Sequence, residues 1–278
     1  MTTRQHGAVA SAVGLVPFGH LGWGYGSRSE FLSRASEYIA DGLDHNQWIQ
    51  YVGPGSREQL RAELDAMPVD TSTVTVTPAT EFYGVADLDD VVDPDVALDL
   101  RAATVEDATS SGYSGVRIVA DPTAVNVRPE QRDSFARLEF LIDQTMADAP
   151  ITALCAYDVS RLGDGAGELV CLHPLVGPGS PTFRLYAEPS AAFALDGEID
   201  AAGTDTFMTT LRRIWPETGS GELVIDAEGL EFISHRELLA LDQQAQSDCR
   251  QILLRGAGPL LTRLAGLLEL DSLRLQPA

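Results

Sequence analysis

The chain contains no lysine; all 19 of its basic residues are arginine. That absence removes chemistry that needs a side-chain amine. A Walker A loop requires Lys against the β- and γ-phosphates, and Schiff-base or pyridoxal-phosphate enzymes require an amine nucleophile. Also missing is any run of about eighteen apolar residues of the kind that spans a bilayer, and Met1 to Leu21 carry no signal-peptide cleavage pattern. The expectation is a cytoplasmic protein without membrane association. Cysteine is scarce: Cys155, Cys171 and Cys249 are too few and too scattered for a disulfide framework or a Cys-only zinc site, and they read as reduced, buried thiols.

What is present is acid. The formal net charge of -22 over 278 residues disfavours direct nucleic-acid binding, because phosphates are held by positive patches. The acid is spread over both halves of the chain without an acidic tail, and 44% hydrophobic content suffices for a sizeable core. The length suggests two domains.

Hydrophobic periodicity supports an α/β organisation. Gly14 to Phe18 and His20 to Gly26 read as a strand or loop ahead of a helix capped at Ser27 or Ser29, with Phe31, Leu32, Ala35, Tyr38 and Ile39 at helical spacing up to Gly42. Strands are expected at 47–53, 71–84, 115–120 and 151–157. Helices are expected at 57–67, 95–111 and 129–147. Strands alternating with helices imply an open sheet covered on both faces. The Pro/Gly-rich run 173–181 is the linker candidate. Beyond it the pattern reads β-β-α-β-α-β-α, opening with a hairpin made of Phe183 to Tyr186 and Ala191 to Leu195.

Two resemblances sharpen this reading. His20-Leu21-Gly22-Trp23-Gly24-Tyr25, the run from Glu30-Phe31 to Gly42-Leu43, Gly112 to Arg117, Leu154-Cys155-Ala156-Tyr157-Asp158 and His173-Pro174 together resemble the MEDS sensory domain, a DcmR-like family related to RecA/KaiC ATPases. The resemblance implies a RecA/KaiC-like open sheet, often without its nucleotide loop, that senses a small and often uncharged or hydrocarbon-derived molecule. Leu195 to Ala202 and Val224 to Ile233 resemble a STAS domain, the module of anti-sigma factor antagonists. That implies a protein partner such as an anti-sigma factor with a kinase-like fold. The boundaries that follow are 1–14 as a flexible N-terminus, 15–176 as the sensory domain, 177–181 as a linker and 182–278 as the STAS-like domain.

Where the STAS family carries Asp-Ser-Ser/Thr-Gly, with a phosphorylated hydroxyl at a helix start, this chain reads Ser234-His235-Arg236-Glu237. A phosphate at that position would meet free N–H groups and the positive end of the helix dipole. Here the matching hydroxyls are gone. Ser234, His235 and Arg236 remain the regulatory or partner-binding candidates, with Ser234 capping the helix and Glu237 completing a capping box as the structural reading.

In the N-terminal half, His20, Cys155, Tyr157, Asp158 and His173 are expected to converge at the rim formed by the carboxyl ends of the strands. Trp23, Tyr25, Trp48 and Tyr51 are expected to add aromatic faces. The ligand-site candidates are therefore His20, Trp23, Tyr25, Tyr51, Cys155, Tyr157 and Asp158. No catalytic residue, metal or cofactor is assigned. Two alternatives stand beside this reading. One is an enzyme using His20 and Cys155 as a nucleophilic dyad. The other is a degenerate nucleotide-binding module whose Gly22 to Ser27 segment occupies the place of a phosphate loop. The acidic run Asp87 to Asp93 lacks the glycine and closing Glu of a calcium loop and reads as a solvated turn.

Overall fold

Ile151 to Tyr157, an uninterrupted uncharged run, is buried along its whole length, as a strand covered on both faces must be. In the computed structural model, which describes residues 5–15, 18–216 and 221–277, this strand lies inside a seven-stranded parallel sheet. Residues 1–4 of the expected flexible terminus, Val16 and Pro17 of the apolar lead-in, and Ala278 lie outside the described residues.

Contacts divide the chain into Met1–Ser180 and Pro181–Ala278. In the first unit the elements are β1 (Gly7–Ala8), β2 (His20–Tyr25), α1 (Arg28–Asp44), β3 (Trp48–Gly53), α2 (Arg57–Asp65), β4 (Thr75–Pro78), α3 (Ala79–Tyr83), α4 (Pro94–Ser110), β5 (Val116–Ala120), α5 (Pro129–Met146), β6 (Ile151–Asp158), α6 (Val159–Leu162), α7 (Asp164–Val170) and β7 (Leu175–Val176). The strand order is β1-β7-β2-β6-β5-β3-β4.

Local sequence explains the principal helices. Ser27 caps α1, and Phe31, Ala35, Tyr38 and Ile39 turn inward at three- and four-residue spacing. Ser56 and Gln59 close a capping box on α2. In α5, Pro129 opens the helix, and Phe135, Leu138, Glu139, Asp143 and Met146 form its buried stripe.

Strand register decides which side chains share a face. His20 lies opposite Ala153, Gly22 opposite Cys155 and Gly24 opposite Tyr157. His20, Cys155 and Tyr157 therefore project to one side, where α5 packs. Leu21, Trp23 and Tyr25 project to the other side, into a core with Phe31, Tyr38, Tyr51, Val119 and Leu154.

The second unit contains β8 (Phe183–Tyr186), β9 (Phe193–Ile199), α8 (Thr204–Ile214), β10 (Glu222–Asp226), β11 (Leu230–Ile233), α9 (His235–Ser247), β12 (Gln251–Ala257), α10 (Pro259–Ala265) and β13 (Leu273–Pro277). Its sheet runs β11-β9-β10-β12-β13, with β8 antiparallel to β9 and Phe183 opposite Gly197. The whole is a mixed α/β chain: a parallel sheet flanked by helices, and a second, mixed sheet.

Several elements differ from the sequence expectation. The strand expected over 71–84 stops at Pro78, and Ala79–Tyr83 turns into a helix that buries Phe82 and Tyr83. Part of the expected flexible terminus is ordered: the N–H groups of Gly7 and Val9 donate to the carbonyls of Pro174 (2.8 Å) and Val176 (2.9 Å), and Ala12 is buried. The linker candidate loses Leu175 and Val176, which form β7 beside β2. β11 and β13 add two strands to the expected C-terminal order. Both are edge strands with several exposed residues, so neither carries a continuous apolar signal. Cys155 and Cys171 are buried free thiols as expected, but Cys249 is exposed, because it sits in the turn that ends α9. Among the described residues no helix is long and apolar enough to cross a membrane.

Candidate functional site

Beneath α5 lies a closed polar cluster. His20, the first residue of β2, places Nδ1 3.0 Å from Asp143 Oδ1. Its Nε2 lies 3.3 Å from Glu139 Oε2 and 3.6 Å from Cys155 Sγ. Glu139 and Asp143 stand one helical turn apart on α5, so both carboxylates reach the same imidazole. Tyr157 donates its hydroxyl to Glu139 Oε1 at 2.5 Å. His173, in the turn after α7, holds Nδ1 3.1 and 3.2 Å from the carbonyl oxygens of Leu169 and Val170, and its ring lies 4.1 Å from that of His20. Its Nε2 is 3.6 Å from Glu139 Oε2 and has no hydrogen-bond partner among the described residues. His20 and His173 are wholly buried, and Glu139 and Cys155 nearly so.

Burial and mutual contact set the protonation states. Burial pulls His20 down, but its bonds to Asp143, Cys155 and Glu139 outweigh that and carry it well above the ordinary histidine value. Burial, with the charge of His20 beside it, pushes His173 down to about 4. Burial would raise Glu139, yet the neighbouring imidazoles and the Tyr157 hydroxyl hold its carboxyl below the ordinary value. Burial and the adjacent Glu139 push the Cys155 thiol up to about 11. A thiol so raised is no ready nucleophile at neutral pH. Beside the cluster a cavity of about 30 Å³, lined by His20, Glu139, Cys155, Phe82, Phe135 and Ile151, has room for roughly one water molecule.

A second, larger recess of about 380 Å³ opens at the carboxyl ends of the strands, lined by Tyr25, Arg28, Glu63, Asp121, Asp158 and Arg161. Tyr25 donates to Asp121 Oδ2 at 2.9 Å, and Arg28 reaches the same oxygen at 2.7 Å. Arg28 also forks onto Glu63 at 2.8 and 2.6 Å, while Tyr51 donates to Glu63 at 2.9 Å. Asp158 caps α6 by accepting from the Ser160 N–H, and exposed Arg161 lies on that same short helix.

The single rim site expected from the sequence is thus two sites. His20, Cys155, Tyr157 and His173 converge, but beneath α5 and not at the rim, because His20 begins its strand and alternation turns all three strand residues to the α5 face. Tyr25 and Asp158 line the rim recess, and Tyr51 supports it through Glu63. Trp23 joins neither: it packs on the opposite face, with the Arg34 guanidinium 5.1 Å from its ring. Trp48 stands apart as well, donating to Thr75 at 3.0 Å. Sequence reasoning missed Glu139, Asp143, Arg28 and Asp121. The available signal was two carboxylates four residues apart on the apolar stripe of α5.

Most of the Gly22 to Ser27 segment is strand, and only Gly26 and Ser27 are left to connect β2 to α1. Gly22 to Tyr25 are strand residues, and the two glycines make room for neighbours: a Cβ on Gly22 would lie 2.8 Å from His173 Nδ1, and one on Gly24 3.0 Å from a Val159 methyl. Asp87, Asp90 and Asp93 of the acidic run accept backbone N–H groups of their own turn, as in Asp90 accepting from Ala86 (3.1 Å) and Asp87 (2.9 Å).

In the second unit Ser234 caps α9, its hydroxyl accepting from the Arg236 N–H at 3.3 Å. The expected capping box does not close. The Ser234 N–H donates to the Ile199 carbonyl at 3.0 Å, and the buried Glu237 carboxylate takes the hydroxyls of Ser234 and Thr204 instead. His235 and Arg236 are exposed, as is Phe232 on the adjoining strand.

Residues 19–174 match the sequence model of the MEDS family, described as MEthanogen/methylotroph, DcmR Sensory domain. No curated protein matches the chain.

Proposed function

Because the chain belongs to the MEDS family of sensory domains, we propose that it is a signalling protein in which the first unit binds a small molecule and the second, STAS-like, engages a protein partner. The observation that carries the sensory reading is the recess at the carboxyl ends of β2, β3, β5 and β6, the place where open α/β sheets receive ligands. Arg28 is already committed to Glu63 and Asp121. The groups left to address a ligand are Oδ2 of the Asp158 carboxylate, whose Oδ1 accepts from the Ser160 N–H and hydroxyl, and the Arg161 guanidinium.

The partner-facing surface is Phe232, Ser234, His235 and Arg236, and the partner class is an anti-sigma factor with a kinase-like fold. A Ser234 hydroxyl already donated to Glu237 argues against phosphorylation as the switch. We propose no catalytic role and no organic cofactor. The raised Cys155 thiol weighs against a His20/Cys155 enzyme, and the strand conformation of Gly22 to Tyr25, with no lysine, weighs against a nucleotide site. The site of action is the cytoplasm, and the acidic surface disfavours direct DNA contact.

The test is thermal denaturation of the full chain against a panel of short-chain, uncharged organic molecules. A ligand that binds only the folded state must raise its melting temperature. At least one compound should do so in the wild type and fail to do so in Asp158→Ala and Arg161→Ala. Stabilisation unchanged in both variants, or none across the panel, would overturn the assignment of the recess.

A further inference from the structure

We propose that His20, Glu139, Cys155 and His173 form a zinc site, with Nε2 of each imidazole, the Cys155 sulfur and one Glu139 oxygen as its four ligands. One donor atom from each residue lies within 4.8 Å of every other. Zinc bonds of about 2.0–2.3 Å set the edges of a tetrahedron at roughly 3.3–3.6 Å. The separations are 3.3 Å (His20 to Glu139), 3.6 Å (His20 to Cys155), 3.6 Å (His173 to Glu139) and 3.9 Å (Cys155 to Glu139). Four of the six separations are thus within a few tenths of an ångström of such an edge, and the other two, from His173 to His20 and to Cys155, lie within 4.8 Å.

The surrounding groups are arranged as the outer shell of a metal centre is. Asp143 takes Nδ1 of His20, and the carbonyls of Leu169 and Val170 take Nδ1 of His173, so both Nε2 atoms face the centre. Tyr157 holds the other oxygen of Glu139.

The strongest indication is His173 Nε2, buried and without a hydrogen-bond partner among the described residues. With its proton on Nδ1, the imidazole presents a lone pair to a carboxylate oxygen, an acceptor facing an acceptor. A proton on His20 serves Glu139 and Cys155 but leaves His173 unanswered. A cation at the centre answers all four groups. Two nitrogens, one sulfur and one oxygen suit zinc better than calcium or magnesium, which take oxygen ligands.

Zinc takes the Cys155 sulfur as thiolate and each imidazole through an unprotonated Nε2, so its uptake releases protons to solvent. Four protein ligands leave no open position, which makes this a structural centre tying together β2, α5, β6 and the turn after α7. It stands independently of the rim recess.

The experiment uses the full chain expressed in zinc- or cobalt-supplemented medium and purified without chelator. The expected result is about one metal per chain, with the cobalt form showing a thiolate-to-cobalt charge-transfer band and tetrahedral d–d bands. Cys155→Ser and His173→Gln should each weaken zinc binding by more than about 100-fold, and Asp143→Asn by roughly 10–100-fold. Circular dichroism confirms that each variant is folded, and the wild-type cobalt spectrum depends on no variant. Sub-stoichiometric metal, a cobalt spectrum without the thiolate band, or unchanged binding in folded Cys155→Ser and His173→Gln would overturn the proposal.

Discussion

Gly22 lies so close under the imidazole of His173 that a methyl group added at position 22 would stand 2.8 Å from Nδ1 and 2.9 Å from Cγ. The contact is between a strand interior and a turn, and the backbone oxygen of Val170 would stand 3.0 Å away as well. Gly22→Ala is therefore expected to cost about 1–3 kcal/mol by overpacking. Denaturant unfolding followed by the fluorescence of Trp23 and Trp48 measures this. A variant as stable as the wild type would show that the turn after α7 yields.

Arg117 and Asp41 form an ion pair at 2.8 Å with both side chains buried. The guanidinium also donates to Gln47 Oε1 (2.6 Å) and the Tyr38 carbonyl (3.1 Å), and stands 4.3 Å from the Tyr38 ring. Removing one partner strands a buried charge, so Arg117→Met is expected to cost about 3–5 kcal/mol. The double variant Arg117→Met/Asp41→Leu should recover part of that loss, since it removes the charge left behind. A double-mutant cycle in urea decides it. Equal losses in the single and double variants would show that packing of the Arg117 stem, and not the charge, dominates.

Glu237 gives the second unit an acid-sensitive contact. Burial would raise its carboxyl, but the hydroxyls of Ser234 and Thr204 bond the charged form and hold it below the ordinary value. A depressed carboxyl contributes stability that is present above its unfolded value of 4.5 and lost as pH falls through its folded value. Amide protection at the start of α9, followed by hydrogen exchange, should therefore weaken on acidification in the wild type and be less pH-dependent in Glu237→Gln. Ser234→Ala should cost about 1 kcal/mol through loss of the cap. Ser234→Glu should cost more, because a second carboxylate would face Glu237. A Ser234→Glu variant with undiminished protection would reopen phosphorylation as a switch.

Much of the architecture was legible without coordinates. Alternating apolar runs and caps located α1, α2, α5 and the buried strands, because helix period and strand burial are local properties written in composition. β1, β7, β11 and β13 were not legible. They are short or exposed edge strands whose identity comes from the neighbour they pair with and not from their own residues.

The sequence by itself determined which side chains are on hand: without lysine it lacks the side-chain amine that a Walker loop or a Schiff base uses. It also supplied the residues of the cluster, His20, Cys155, Tyr157 and His173, without their geometry. Only the tertiary structure decided that these four turn under α5 while Trp23, Tyr25 and Tyr51 turn away, and that Glu139 and Asp143 meet them there. The reason is physical: alternation along β2 and β6 assigns each side chain a face, and the register between the strands, not their spacing in the chain, sets which groups come within bonding distance.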